Sequence, residues 1–144
     1  LGVDVPYALR LEQVRPVYPD ARLDLHEWIE LADGRFLKVD ATDHADDHLW
    51  PGPCDAAWDL AAAVIEWQLD AQAADELLER YRARTGDAVA ARIVPYVAAY
   101  SAFRVGRARL AALSAGDDER ARLFASEEHY LARLRQSYAL CPDP

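Results

Sequence analysis

The residue pattern predicts a small α+β domain, mainly α, in which one β-hairpin and an acid-bearing loop lie against a bundle of about four helices. Three observations lead there. Two short apolar runs flank Asp33-Gly34, a dense stretch of acids and imidazoles follows them, and beyond Asp55 the apolar residues recur at helical spacing. With 144 residues, 52% of them hydrophobic, there is apolar material for one core. The chain therefore reads as a single domain over 1–144, with a connector at 1–20, the hairpin and acidic loop at 22–54 and the helical bundle at 55–140.

In the opening stretch Pro6, Pro16 and Pro19 interrupt any helix and leave room for one turn around Ala8 to Val14. Between Leu25 and Val39 the apolar runs on either side of Asp33-Gly34 predict two antiparallel strands. A strand beginning at Leu25 would send His26 and Trp28 to one face and Glu27 to the other. Residues 40–48 are too polar for a core, and Pro51, Gly52 and Pro53 then stop any regular element. Asp55 is the expected N-cap of a first helix running to about Leu69, with Trp58, Ala61, Ala62, Ile65 and Leu69 on its apolar face. A second helix covers Ala71 to Arg84, turning Leu77, Leu78 and Tyr81 inward and stopping at Gly86. A third runs from near Asp87 to about Leu113 with a kink or break at Pro95, and a fourth spans roughly Asp117 to Tyr138. Tyr96, Tyr100 and Phe103, at i, i+4 and i+7, read as core, and Arg104, Arg107 and Arg109 as partners of Glu127, Glu128 or the acids near Asp117.

Composition narrows the function. Lys and Arg total 16 against 25 Asp and Glu, a formal charge of -9, which is the wrong sign for a surface that tracks nucleic-acid phosphates. Residues 56–69 are broken by Asp59 and Glu66 and fall short of a membrane span, so no membrane partner is expected. Cys54 and Cys141 fit neither a zinc spacing nor a disulfide scaffold, and a reduced, cytoplasmic setting is the expectation. A start at Leu1 and the lack of any methionine suggest a piece whose own beginning lies upstream.

Taken in order, the hairpin, Val39-Asp40-Ala41-Thr42-Asp43 at its exit and Asp55-Ala56-Ala57-Trp58-Asp59-Leu60-Ala61 resemble the C-terminal lobe of the aminoglycoside phosphotransferase family, kinase-like enzymes acting on small molecules. There a segment H-G-D-x-x-x-x-N precedes a strand, a D-G-type turn and a second strand ending I-D-x-x-D/E, and a helix opening D-x-x-Y/W-D-L/I-A follows. The resemblance covers Arg22 to about Leu69. It implies an ATP- and Mg2+-dependent transfer to the hydroxyl of a small molecule, with a further lobe upstream to hold the nucleotide, and the acidic helices would suit a cationic acceptor. It also implies that Asp40 is the magnesium-binding acid, that Asp43 is a second acid beside it, and that Asp59 is a buried acid tying the helix start to the catalytic loop by hydrogen bonds.

The segment before the strand differs from that pattern. Its leading histidine and glycine are absent, counting back from Asp33-Gly34 puts Trp28 where the asparagine belongs, and Asp24 falls about one residue from the register of the catalytic aspartate. His26 could take the base position beside Asp24, and Glu27 could supply the oxygen ligand in place of the asparagine. Trp50, a loop indole, is expected near the site as a stacking surface for the cofactor. Two other readings stay open. One is a kinase-like module that binds without catalysis. The other is a metal-dependent hydrolase, which would need residues 44–48 to be helical so that His44 and His48 meet at i, i+4 with the nearby acids.

Overall fold

The hairpin forms where Asp33-Gly34 directs it. A computed structural model describes residues 11, 15–39, 46–47, 50–51 and 53–139, with 46–47 and 50–51 as backbone alone. Strands β2 (Trp28–Glu30) and β3 (Phe36–Lys38) pair antiparallel with Trp28 opposite Lys38, Ile29 opposite Leu37 and Glu30 opposite Phe36. The turn closes through the Leu31 N–H donating to the Arg35 carbonyl and the Gly34 N–H donating to the Leu31 carbonyl, with Gly34 at φ 78°, a conformation that favours glycine. Trp28 and Phe36 share a face, and both meet the Trp67 ring edge-on at 5.5 and 5.3 Å. Ile29 and Leu37 point the other way and are about half exposed.

The strand is shorter than predicted. Leu25–Glu27 is a 3-10 turn, held by the Glu27 N–H donating to the Asp24 carbonyl, so alternation begins only at Trp28. His26 is consequently exposed while Glu27 is buried and Trp28 half-buried.

The expected connector contains structure. Strand β1 (Pro16–Val17) pairs antiparallel with β6 (Cys54–Asp55), Pro16 opposite Asp55 and Val17 opposite Cys54. Between them β4 (Asp46–Asp47) pairs with β5 (Trp50–Pro51), so the segment expected to lack regular elements carries one short ladder and one strand of another. Of the predicted turn at 8–14 only Leu11 is among the described residues.

Helix α1 (Ala57–Glu66) follows β6 directly, and burial reaches past the predicted face to Ala57 and Leu60. It ends three residues before Leu69. The Leu69 N–H bonds back to the Val64 carbonyl and the Gln68 N–H to that of Ile65, with Gln68 at φ 48°, which is the Schellman arrangement with glutamine in the usual glycine place. Helix α2 (Ala71–Thr85) matches its prediction: the Asp70 carboxylate caps the Ala73 N–H at 2.8 Å, and Gly86 at φ 74° closes the far end. Leu78 is its buried residue, with Leu77 and Tyr81 half-buried.

The third helix is divided. Val89–Arg92 form a 3-10 turn and α3 (Ile93–Ala112) begins beyond it, so Pro95 lies in the first turn, where its missing N–H breaks no helical bond and no kink is needed. Helix α4 (Asp117–Ala139) opens with three acids at its N-terminus, the sign favoured by the helix dipole.

By their internal contacts the described elements fall into two compact units. One is Glu12–Ile93, with the hairpin, α1 and α2; the other holds α3 from Val94 and α4. In the second unit Tyr96 and Tyr100 are buried as predicted and Phe103 is half-buried. Arg109 pairs with Glu127 at 2.7 Å, and Arg104 lies 4.9 Å over the Tyr130 ring and Arg107 5.8 Å over Phe103. Among the described residues no helix is long and apolar enough to cross a membrane.

Candidate functional site

Two carboxylates at the start of α1 anchor the preceding chain. Asp59 Oδ2 accepts the Asp20 N–H at 2.8 Å and Oδ1 accepts the Ala21 N–H at 3.0 Å, so one side chain fixes two successive peptides 38 and 39 residues upstream. Burial raises the Asp59 carboxyl above its ordinary range, and the two N–H bonds hold part of that rise back. The clamp falls where the backbone is least comfortable, for Ala21 sits at φ 60°.

Asp55, one turn earlier, is fully buried. Its Oδ1 accepts the Ala57 N–H at 2.8 Å, the capping contact expected of it, and its Oδ2 accepts the Arg15 N–H at 3.0 Å. Arg92 donates to the same carboxylate through Nε and Nη2 at 3.1 and 2.9 Å, and forks onto both oxygens of Asp87 at 2.8 Å. The hydrogen bonds that Arg92 donates hold the Asp87 carboxyl below its ordinary range, and those it makes to Asp87, followed by those to Asp55, raise the Arg92 guanidinium. Neither helix acid is the surface group that acids at helix starts usually are. A cleft of about 430 Å³ beside this triad is lined by Arg15, Thr85, Gly86, Asp87, Ala88 and Arg92, and contains none of the sequence-predicted site residues.

The segment held by Asp59 leads into the hairpin and a third charged group. Lys38, the chain's one lysine, places Nζ 2.8 Å from Asp20 Oδ1 and 3.0 Å from Glu27 Oε2, with its side chain 9% exposed. Burial pulls the Lys38 ammonium down, but the two carboxylates, Asp20 foremost, outweigh it and leave it above its ordinary value. The Glu27 backbone is fixed at both ends, its N–H on the Asp24 carbonyl and its carbonyl accepting the Val39 N–H at 2.9 Å.

The sequence-predicted residues fall as follows. Asp24, His26 and Glu27 lie on and beside the 3-10 turn, with Asp24 half-buried, His26 exposed and Glu27 buried. Asp40, Asp43, His44 and His48 lie outside the described residues, as does the Trp50 side chain. Of the segment between His44 and His48, the described residues Asp46 and Asp47 are extended and pair with Trp50 and Pro51. Glu27 does not fit a free divalent-metal ligand, since its carboxylate is already engaged by an ammonium. Among the described residues no group of three or more His, Cys, Asp or Glu is disposed to hold a metal ion.

Sequence reasoning passed over Asp20, Arg92 and Lys38. The signal for Lys38 was present: in a chain that otherwise uses arginine for every basic residue, a solitary lysine marks a place suited to a compact, flexible ammonium rather than a planar fork. Comparison with protein-family models, with curated proteins and with solved structures finds no match.

Proposed function

We propose that this chain is a kinase-like lobe of the aminoglycoside phosphotransferase type, serving ATP-dependent transfer to the hydroxyl of a small, cationic molecule in the cytoplasm. The observation that carries the reading is the Asp59 clamp on the Asp20 and Ala21 N–H groups, the tie between helix start and catalytic segment that the resemblance implies. Around it the order of parts agrees: clamped segment, hairpin, exit toward Asp40, then the acid-bearing helix.

In such a transfer the acceptor hydroxyl attacks the terminal phosphorus, the bond to the bridging oxygen breaks, ADP leaves with the electron pair, and a base receives the hydroxyl proton. His26, exposed on the turn, and Asp24 beside it are the candidates for that base. Ile29 and Leu37, opposite one another on the half-exposed face of the hairpin, offer an apolar surface on the element that follows the turn.

One observation favours the second reading, a nucleotide-binding module without turnover. The strand begins at Trp28, so Glu27 is the residue immediately before it, and the D-x-x-x-x-N spacing counted back from Glu27 ends on Arg22, a base where the pattern has its acid. An ADP-release assay on the full-length protein with a panel of amino-substituted polyols separates the two. The phosphotransferase reading expects turnover that His26→Gln or Asp24→Asn lowers by about 10²-fold or more. ATP binding with no ADP release on any acceptor would leave the binding module.

A further inference from the structure

We infer that the Lys38 ammonium is a built-in cation that closes the Asp20 and Glu27 carboxylate pair to divalent metal ions. Its meaning for catalysis rests on the phosphotransferase reading, because it denies Glu27 the ligand role that an asparagine at this place would have. The geometry itself does not depend on that reading.

Three features carry the inference. The two carboxylate oxygens converge on one nitrogen at 2.8 and 3.0 Å, so each would have to close by less than about 1 Å to reach the roughly 2.1 Å at which Mg2+ takes oxygen ligands. The pair is held in place by backbone rather than by the lysine alone: Asp20 hangs from the Asp59 clamp, and Glu27 is fixed by its 3-10 turn and by the Val39 N–H. Lys38 itself projects from β3 directly opposite Trp28, with a side chain 9% exposed, so the ammonium sits among the acids instead of in solvent. Two acids preorganised this closely and deprived of their ammonium form an oxygen site for a hard divalent cation. With the ammonium in place, any divalent cation serving the site is held without Glu27.

The test counts Mn2+ bound to the full-length protein, without nucleotide, by loss of the free-ion paramagnetic resonance signal. Lys38→Met is expected to bind one Mn2+ more than wild type, and Lys38→Met combined with Glu27→Gln to lose that added ion or bind it at least about tenfold more weakly. Glu27→Gln alone is expected to leave the wild-type count unchanged. The inference is overturned if Lys38→Met gains no ion, or if Glu27→Gln alone removes one. If Lys38→Met does not fold without metal, recovery of its native circular dichroism on adding Mn2+ counts for the inference and absence of recovery counts against it. Because no ATP is present, failure here leaves the phosphotransferase reading standing, and failure of nucleotide binding leaves this result intact.

Discussion

At the scale of single residues, stability in the Glu12–Ile93 unit depends on a few carboxylates that each satisfy several donors. Asp59 is the sharpest case, since removing it leaves the Asp20 and Ala21 N–H groups without their acceptor and releases Ala21 from the support of its left-handed conformation. Hydrogen bonds to a charged acceptor are worth about 1.5–3 kcal/mol each, and two lost together overlap, so Asp59→Ala is expected to cost about 3 kcal/mol in urea unfolding. A cost below about 1 kcal/mol would show that the clamp is not formed in solution. Asp59 stood out in the sequence because the resemblance implies a buried, hydrogen-bonding acid at that place, and its carboxylate accepts two backbone N–H groups. Its partners were not legible. Asp20 and Ala21 act through the backbone, and a backbone donor leaves no trace in residue type. Lys38 was visible as the solitary lysine but not as an ion-pair partner, because cross-strand register decides what it faces.

At the scale of elements, the boundaries that sequence placed correctly are those with local chemical signals. Asp70 and Gly86 frame α2 almost to the residue, and Asp33-Gly34 sets the hairpin turn. The misplaced boundaries lack such signals. Glutamine 68 ends α1 in a conformation that sequence assigns to glycine, and the apolar period continuing to Leu69 therefore suggests a longer helix. The same mismatch makes a prediction. Gln68→Gly relieves the left-handed strain at some cost in unfolded-chain entropy, and is expected to stabilise the protein by about 0.5–1 kcal/mol, read as a higher denaturation midpoint at unchanged slope. Destabilisation would mean that the α1 end does not adopt this cap. The two-residue ladders of β1 with β6 and β4 with β5 were beyond sequence reading, since segments so short and so rich in Pro and Asp carry no strand pattern.

At the scale of the whole molecule, buried ion pairs give stability a defined pH dependence. Asp87, whose carboxyl is lowered chiefly by its hydrogen bonds from Arg92, contributes stability that is present above its ordinary value of 3.8 and is lost as pH falls through its folded value. Asp59, raised by burial, acts in the opposite sense, its folded form taking up a proton before the unfolded chain does as pH falls. Asp87→Asn is therefore expected to flatten the loss of stability below about pH 3.8, measured as the urea midpoint against pH, and an acid limb unchanged by the substitution would contradict the pairing. The mainly helical fold class was legible at this scale, because helical periodicity is a strong signal over long segments.

We propose that the clamped segment, the hairpin and Asp40 beyond it in sequence belong to a nucleotide-handling lobe. Calorimetric titration of ATP with Mg2+ into the full-length protein and into its Asp40→Asn variant tests it most directly. Binding that requires Mg2+ and weakens at least about tenfold in Asp40→Asn is the expected result. No heat of nucleotide binding in either protein, under conditions where both are folded, would contradict it.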